Sequence, residues 1–533
     1  MTWTKGIAIG AGFLVGLWVL GRAFLTVQLP SREGRREAFP DPMGSEVTLR
    51  EAFDTLPHEG GQKASLRLLE DNSQAWLERW RLLDGAGERL DICYFILKQD
   101  VFGTAFLGHL VQKAREGVEI RILLDAMGTK MSRSFTGNDY LDALVNTGNI
   151  TIRMYRPLIY RYTDAFLTLN PAAVWVSEHD KILLADGRRA LIGGRNISTE
   201  YFAPIEDNPT VFRDTDLVLS GEAIGAALQA AFASGYASGE AKAVAREEVD
   251  LNDATDELLL AYEAMDAWLH DRPMTEAVLA KMEQKGLPWL KQLEEMPHLR
   301  GALQRGLPKS REAEVRLLDS RTRLVKADDP ITRTLIRLVR SAREEIFIQS
   351  PYLVLPREAV EVLAEAAERG VRITVITNSP LSSDNAMSQA VFLEQWPELL
   401  ARVPGLELYV APDRHNLHGK LAVFDRRLAL VGTYNLDILS LAMNSELVAA
   451  IWSEAVAEEI LQPRRRDIRA GEILVQYRIA RTDDGTPRRG KDGRVMVEWG
   501  PVDHLDLDEM RKIRIYRGLY RMISRLKGEY PWY

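Results

Sequence analysis

The chain has 533 residues, of which 46% are hydrophobic and 27% charged, so it can bury more than one ordinary domain. Its net charge of -8 argues against a protein whose whole surface binds nucleic acid. The single cysteine, Cys93, lies in the apolar run LDICYFIL, where burial is expected. One cysteine excludes an intrachain disulfide and a cysteine-based zinc cluster.

The amino terminus differs sharply from the rest of the chain. Residues 6–21 carry no charge, and after Arg22 the apolar character continues to Leu29. A helix of this length spans about 36 Å, against a hydrocarbon core of about 30 Å. We therefore predict a membrane anchor with a basic flank at residues 1–36, with a cleaved signal peptide as the main alternative. The positive-inside rule favours a cytoplasmic body, because several arginines follow the apolar core (Arg22, Arg32, Arg35 and Arg36).

A strand-like run, a helical pattern and a second strand-like run occur twice in the same order. The two copies are residues 90–97, Gly117 and 118–126 in the first half, and residues 344–351, Gly370 and 371–378 in the second. In each copy the helical pattern ends at the glycine, as a left-handed carboxyl-terminal cap prefers. The repeat predicts alternating β and α elements in both halves of the chain.

Two further segments have distinct compositions. Residues 241–315 lack strand alternation and are rich in Ala, Leu, Glu and Met, which predicts a helical connector. The basic tail ends in an amphipathic stretch over residues 509–527, which suits a membrane surface or docking on the protein body. The predicted organisation is an anchor at 1–36, a first lobe at 62–240, a connector at 241–315, a second lobe at 316–465 and a tail at 466–533.

Two copies of one histidine motif carry the chemistry. The first contains His179, Lys181, Asp186, Gly193 and Asn196, and the second contains His418, Lys420, Asp425, Gly432 and Asn435. The offsets from each histidine are identical. A single H-x-K-x4-D pattern arises by chance in roughly one chain of this size in fifty, so two matching copies exclude coincidence.

The residue types in these motifs suit a phosphodiester. Residues two apart in a strand share a face, so each motif places an imidazole beside an ammonium group. If the lobes pack about a pseudo-twofold axis, both pairs meet in one pocket. Two lysines and the amides of Asn196 and Asn435 can then bind the phosphoryl oxygens without a metal. One histidine can attack phosphorus while the other protonates the leaving alkoxide.

Four carboxylates accompany the motifs. Glu446 lies in the strand-like SELVAAI after the second motif, and Asp216 occupies the equivalent place in TDLVLSG after the first. We assign both as residues that orient the histidine rings. Asp186 and Asp425 close the motifs near a turn, where fixing the lobe and direct catalysis are both open roles.

His415 stands three residues before His418, and this H-x-x-H spacing raises the question of a metal site. A metal site needs further histidine, cysteine or carboxylate ligands, and the motif lysines oppose a divalent cation. We therefore predict no metal, and place His415 in a loop at the mouth of the pocket.

At these residues the chain resembles the phospholipase D superfamily, with its two HxKxxxxD motifs at 179–186 and 418–425. Within that superfamily it is similar to bacterial cardiolipin synthases of the type C branch, through LDICYFILKQD, LIGGRNISTEYF, FRDTDL, SPYLVLP and VITNSP. The resemblance implies an α/β fold of two pseudo-twofold lobes, each with a mixed sheet flanked by helices. It also implies a phosphatidyl-histidine intermediate on His179, with His418 as the acid and no cofactor. Thr433 stands where serine is usual and keeps the hydroxyl.

The expected activity is phosphatidyl transfer between membrane phospholipids, with phosphatidylglycerol and in addition phosphatidylethanolamine as candidate substrates for cardiolipin synthesis. Hydrolysis to phosphatidic acid is the alternative, because the same intermediate serves both and access of water decides the outcome. The net charge and the predicted anchor disfavour a nucleic-acid phosphodiesterase. Two intact motifs disfavour a non-catalytic scaffold. We expect a bacterial inner-membrane location, no nucleic-acid partner and no obligate protein partner.

Overall fold

The computed structural model describes residues 47–57, 63–130, 139–167, 171–246, 251–306, 308–321 and 329–526. The predicted anchor at residues 1–36 lies outside these ranges. Within them, every helix is too short or too polar to cross a bilayer.

The strands occur in two sets, one in each half of the chain. The first set is β1 Lys63–Leu69, β2 Arg89–Tyr94, β3 Leu97–Lys98, β4 Glu119–Asp125, β5 Thr129–Lys130, β6 Ile150–Tyr155, β7 Ile182–Ala185, β8 Arg189–Gly193, β9 Asp216–Ser220 and β10 Ala241–Ala243. The second set is β11 Arg311–Ser320, β12 Glu345–Gln349, β13 Arg372–Asn378, β14 Glu407–Ala411, β15 Lys420–Phe424, β16 Leu428–Gly432, β17 Glu446–Trp452, β18 Val475–Ile479 and β19 Val497–Trp499.

The helices lie between and outside these strands. They are α1 Leu49–Asp54, α2 Asn72–Asp84, α3 Val101–Arg115, α4 Asp139–Asn146, α5 Leu158–Leu167, α6 Thr199–Phe202, α7 Glu222–Tyr236, α8 Asn252–Leu269, α9 Glu276–Lys285, α10 Trp289–Glu294, α11 Pro330–Ser341, α12 Arg357–Glu368, α13 Ala386–Arg402, α14 Ile438–Ala442, α15 Glu454–Ala470 and α16 Leu507–Leu526.

Hydrogen bonds join most strands into one continuous series whose order repeats in the two halves. The first half runs β1-β9-β8-β7-β2-β4-β6-β10, and the second runs β11-β17-β16-β15-β12-β13-β14-β18. Strands β1 and β11 pair antiparallel at the centre, with Ala64 opposite Ala313. Each half combines parallel and antiparallel neighbours. This confirms the predicted α/β fold with two lobes of mixed sheet, related by a pseudo-twofold axis between β1 and β11.

The repeated β-α-β units predicted from the sequence are present in both lobes. The predicted strands at 118–126 and 371–378 appear as β4 and β13, and most residues of both strands are buried, as is typical of parallel strands covered by helices. Gly117 and Gly370 follow α3 and α12 with φ of 95° and 86°, a backbone region that glycine enters without strain. The chain therefore reverses in the same way in both lobes.

The apolar core is divided into three main clusters. One lies in the first lobe beneath α8, where Gly108 of α3 approaches Leu258 so closely that an added Cβ would overlap its carbonyl oxygen. A second fills the outer half of the second lobe. The third is shared by both lobes and joins Ile192 and Leu217 to Val431 and Leu447. This shared cluster fixes the lobes relative to each other, and hence the two motifs.

The segments outside the lobes differ in part from their predicted boundaries. Helices α8 to α10 occupy the middle of the predicted connector, but its two ends are β10 and β11, which belong to the sheet. In the tail, β18 extends the sheet of the second lobe. Arg517 of α16 lies 2.6 Å from Glu394, and Ile513 is buried. The described part of this helix therefore docks on the body, one of its two predicted roles.

Asp186 and Asp425 end β7 and β15 in the same way. Both have positive φ, 52° and 48°. Asp186 accepts hydrogen bonds from the backbone amides of residues 87–89, and Asp425 from those of residues 343–345. Each aspartate therefore ties the far end of its motif strand to the start of the neighbouring strand. These contacts favour a structural role for both residues.

We expect Asp425→Ala to lower the free energy of unfolding by about 1–3 kcal/mol, because it leaves the backbone amides of residues 343–345 without their acceptor and because alanine tolerates positive φ less well than aspartate. Asp425→Asn should cost less, since asparagine tolerates this backbone and keeps one acceptor. Chemical denaturation measures the difference. If Asp425→Asn folds with wild-type stability but loses most of its turnover, the structural assignment is wrong.

Candidate active site

The two motif histidines come from opposite lobes and lie close enough for the charges of His418 and Lys420 to act on His179. His179 lies just before β7, and His418 just before β15, so each precedes its strand instead of lying within it. The His179 amide donates to the Ser445 hydroxyl at 2.8 Å, and the His418 amide donates to the Arg213 carbonyl at 2.7 Å. Each histidine is thus held by the backbone or a side chain of the other lobe, which explains why one pocket needs both lobes.

The ring of each histidine is also paired with a carboxylate of the other lobe. His179 Nδ1 lies 3.0 Å from Glu446 Oε2, and His418 Nδ1 lies 2.6 Å from Asp214 Oδ2. Both carboxylates are buried. Because a carboxylate only accepts, we assign the Nδ1 proton of His179 to the ring, which leaves its Nε2 for the substrate. His418 differs, since Lys420 Nζ lies 2.5 Å from its Nδ1 and 3.2 Å from its Nε2, beside the Asp214 contact.

Glu446 therefore contacts a histidine ring as predicted, whereas the assignment of Asp216 is wrong by two residues. Strand register gives the reason. Gly193 of the first motif pairs with Asp216, but its equivalent Gly432 pairs with Val448. The structural counterpart of Glu446 is consequently Asp214, although TDLV and SELV match better as sequence.

Asp216 has a different environment. Its carboxylate lies 2.9 Å from Arg79 and 3.2 Å from Arg195, and all three side chains are almost fully buried. A buried carboxylate between two guanidinium groups is satisfied electrostatically and cannot turn toward a histidine without exposing both cations to an apolar interior. Asp216 therefore stabilises the first lobe beneath the site.

The two motif lysines lie beside the histidines and are buried. Lys181 Nζ donates to the His179 carbonyl at 2.8 Å, and Lys420 Nζ donates to the His418 carbonyl at 2.6 Å while lying 3.6 Å from Asp214. Burial lowers the pKa of Lys181 to about 8, and burial also lowers the pKa of Lys420. The site therefore holds cations that are poorly solvated and favour an anionic ligand.

Burial and neighbouring charge keep the histidines neutral. Burial, followed by the charges of Lys181 and Lys420, lowers the pKa of His179 well below its ordinary value. The pKa of His418 is lowered by burial and Lys420, with Asp214 acting in the opposite sense. Both rings are therefore neutral in the free site, as a nucleophile must be, and the Asp214 carboxylate favours protonation of His418.

The motif asparagines differ in their contacts. Asn196 accepts from the Ile96 amide and donates to the Tyr201 hydroxyl, both at 3.0 Å. The Asn435 side chain is buried. The backbone amide of the same residue donates to the Ser440 hydroxyl at 3.2 Å. Both residues lie beside the site, and their phosphate-binding role stays a prediction.

Aromatic rings that sequence reasoning missed enclose the histidines. Phe95 meets His179 edge-on with centroids 5.1 Å apart, and Tyr201 and Phe212 flank His418, each at 5.3 Å. Phe95 also lines an open cleft of about 640 Å³ with Met127 and other residues. Phe212, Asp214 and Tyr201 all lie in the segments FRDTDL and LIGGRNISTEYF, which the sequence analysis had singled out. Without the strand register, however, these segments do not show which of their side chains face the histidines.

Among the described residues, no group of three or more histidine, cysteine, aspartate or glutamate side chains is arranged to hold a metal ion. His415 Nδ1 lies 2.6 Å from Asp413, a neighbour in the same loop. The two histidines of the H-x-x-H sequence therefore have different partners: His415 pairs with Asp413 in its loop, and His418 contacts Asp214.

The family described as "Cardiolipin synthase, PLD-like domain" matches residues 80–233 and 335–467. These segments make up more than half of the sequence and contain both motifs, so the chain belongs to this family and is an enzyme of the phospholipase D superfamily.

Individual relatives agree with this assignment. The chain is 28% identical to "Cardiolipin synthase C" of Escherichia coli (strain K12) over 427 residues, covering 74% of this chain and 82% of that protein. It is 25% identical to a probable cardiolipin synthase of Bacillus subtilis (strain 168) over 459 residues, covering 84% and 76%. Its fold is similar to that of phosphatidylserine synthase from Haemophilus influenzae Rd KW20, with a TM-score of 0.57, 14% identity and coverage of 90% and 98%.

We expect Asp214→Asn and Asp216→Asn to fail in different ways. Asp214→Asn should fold and lose about 10²- to 10⁴-fold in kcat, because His418 loses the carboxylate that orients its ring. Asp216→Asn should lose about 3–5 kcal/mol of stability, because Arg79 and Arg195 lose their shared anion. Steady-state kinetics and thermal unfolding of both variants separate the two effects. The reverse pattern would restore Asp216 as the orienting residue.

The low pKa of His179 predicts a pH dependence. A protonated imidazole cannot attack phosphorus, so a lowered pKa keeps kcat/KM high at pH values below the ordinary histidine range. Lys181→Gln removes one lowering charge, and we expect the acidic limb of kcat/KM to move to higher pH. Lys181→Arg keeps the charge and is the matched control. A soluble nitrophenyl phosphodiester gives the profiles, and an unmoved limb in Lys181→Gln would contradict this electrostatic account.

Proposed function

We propose that the protein synthesises cardiolipin from two molecules of phosphatidylglycerol and releases glycerol. The observation that carries this proposal is the pair of buried histidines, each oriented by a carboxylate of the opposite lobe, with a lysine beside each ring. Two rings related by a pseudo-twofold axis can stand on opposite sides of one phosphorus atom. The family membership and the names of the relatives support a phosphatidyl group as the one transferred.

In the first step, His179 Nε2 attacks the phosphorus of one phosphatidylglycerol. A P–N bond forms as the bond to the headgroup glycerol oxygen breaks, and His418 gives its proton to that oxygen. Lys181 and Lys420 stabilise the negative charge on the phosphoryl oxygens. The incoming anion itself raises the proton affinity of His418, since it offsets the charge of Lys420.

In the second step, His418 accepts the proton of a headgroup hydroxyl on a second phosphatidylglycerol. That oxygen attacks the phosphorus, the P–N bond breaks and His179 is regenerated. The product is cardiolipin. Water in place of the lipid hydroxyl yields phosphatidic acid, so the apolar and aromatic walls around the rings, including Phe95, Tyr201 and Phe212, support transfer by limiting water.

We also propose that the chain acts at the bacterial inner membrane, held by residues 1–36. Phosphatidylethanolamine is a second candidate donor, because its phosphodiester is the same and the headgroup leaves as an alcohol.

Lipid analysis by mass spectrometry tests the proposal. Wild type, His179→Ala and His418→Ala are incubated with phosphatidylglycerol vesicles, with and without phosphatidylethanolamine. We expect cardiolipin and glycerol from wild type and at least about a 10³-fold loss in both variants, because each ring is needed in both steps. Phosphatidic acid as the sole product would make the enzyme a hydrolase. A lack of lipid product together with cleavage of nucleic acid would overturn the assignment of substrate class.

A trapping experiment identifies the nucleophile. A phosphodiester with a nitrophenolate leaving group needs no acid, so His418→Ala should still complete the first step with it. The second step lacks its base, and the phosphorylated peptide containing His179 should accumulate and be detected by its mass. Phosphorylation of His418 in His179→Ala, with none in His418→Ala, would reverse the assigned roles.

A further inference from the structure

Helix α5, which ends shortly before the first motif, has its polarity reversed. Its buried side chain is that of Arg161, which is 0% exposed, whereas Ile159, Phe166 and Leu167 are 69%, 77% and 71% exposed. The exposed face, here called the α5 patch, consists of Leu158, Ile159, Tyr160, Tyr162, Phe166 and Leu167. Soluble surfaces seldom carry so many adjacent large apolar side chains, and such a face marks a contact surface.

Arg161 explains how the helix stays in place with its apolar side outward. The guanidinium donates to both carboxylate oxygens of Asp125 at 2.8 Å, and also to the carbonyls of Arg156 at 2.7 Å and Val176 at 2.6 Å. This buried ion pair, with Nη2 of Arg161 shared between the two oxygens of Asp125, holds the helix from beneath. The apolar face is therefore not needed to hold α5 in the fold.

Helix α5 is linked through Asp125 to the segment that precedes His179. This carboxylate also accepts from the backbone amide of Glu178 at 2.9 Å and from that of Met127 at 2.7 Å. Glu178 precedes the catalytic His179, and Met127 lines the cleft beside Phe95. The outer surface of the helix, the cleft wall and the nucleophile are thus joined by one buried carboxylate.

One exposed lysine lies at the edge of the patch, and the carboxylates of Asp164 and Glu240 nearby are both paired with the buried Arg156. Asp164 is the one acidic residue of the helix, and it lies 2.7 Å from the buried Arg156. The exposed Lys242 places Nζ 5.2 Å from the ring centroid of Tyr160, at the edge of the patch. Tyrosine is typical of the membrane interface, where its ring is apolar and its hydroxyl hydrated, and lysine there meets lipid phosphates.

We propose that the α5 patch lies in the surface of the bilayer that carries the substrate and brings the active-site cleft onto the lipid headgroups. A ten-residue helix is about 15 Å long, and an interfacial helix buries its apolar face about 5–10 Å deep. The contact is separate from the anchor that we propose at residues 1–36. This inference rests on the proposed function, because the proposed function identifies phosphatidylglycerol as the lipid that the active site must reach.

Replacement of the patch tests its role in catalysis on vesicles. In the full chain, Ile159→Ser, Phe166→Ser and Leu167→Ser are combined. We expect the KM for phosphatidylglycerol vesicles to rise at least about tenfold, the factor set by losing even one deeply buried large apolar side chain. Turnover of short-chain phosphatidylglycerol, present as monomers, should stay within about twofold of wild type, because the catalytic groups are unchanged.

The matched control removes exposed apolar side chains elsewhere: Leu279→Ser, Met496→Ser and Val502→Ser. It should behave as wild type on both substrates. An unchanged vesicle KM in the patch variant would overturn the proposal. Equal losses on vesicles and monomers would also overturn it, since the patch would then act on the catalytic groups and not on the bilayer.

A fluorescent label tests the contact directly and does not depend on activity. Cys93 is buried, so Phe166→Cys provides one accessible thiol for an environment-sensitive dye. We expect a blue shift and quenching by spin-labelled lipid when the full chain meets phosphatidylglycerol vesicles. The shift should be weaker with phosphatidylcholine. The same dye at Glu283→Cys, on the exposed side of α9, should show neither change.

The outcomes separate the patch from the proposed function. Dye that enters the bilayer in a protein that makes no cardiolipin would leave the patch standing and reject the function. Cardiolipin made while the dye stays in water would reject the patch alone. A blue shift that needs no lipid and increases with protein concentration would assign the face to a second copy of the chain, and would equally reject the bilayer contact.

Discussion

The pairing of each catalytic imidazole with a carboxylate from the opposite lobe is the interaction on which the rest of the structure depends. Glu446 orients His179, and Asp214 orients His418. Neither lobe alone contains both a motif histidine and the carboxylate that contacts its ring. The shared apolar cluster and the β1–β11 pairing at the centre of the sheet are therefore requirements of the chemistry, because sliding of one lobe would separate each ring from its partner.

Burial of the site sets its electrostatics. Lys181 and Lys420 lie out of water beside two neutral rings, and the charges nearest to them are the buried carboxylates of Glu446 and Asp214. Burial lowers the pKa of both lysines, so an anionic phosphodiester that enters the site favours their charged forms. In the mechanism that we propose, the same burial limits the access of water to the phosphohistidine. A site of this kind must be brought to its substrate, since a lipid phosphate does not leave the bilayer readily. The reversed polarity of α5 and its link to His179 through Arg161 and Asp125 offer a physical route for that approach.

The two orienting carboxylates show where sequence reasoning succeeded and where it failed. Glu446 was found because a strand-like segment follows the second motif without a long insertion. In the first lobe an insertion precedes β9, and the similarity of TDLV to SELV directed the assignment to Asp216 instead of Asp214. Residues two apart in a strand share a face, so local pattern cannot choose between them. The register of β8 against β9 makes that choice, through hydrogen bonds between segments that the sequence does not order.

The sequence by itself determined the repeated β-α-β units, the two motifs and the class of chemistry, because strand alternation, helix-ending glycines and identical histidine offsets are local properties. Tertiary structure decided which carboxylate meets which ring and that Asp186 and Asp425 bind backbone amides. It also decided that α5 turns its apolar side outward. Each of these depends on contacts between residues far apart in the chain, and the free energy of such contacts is fixed only when both partners are in place.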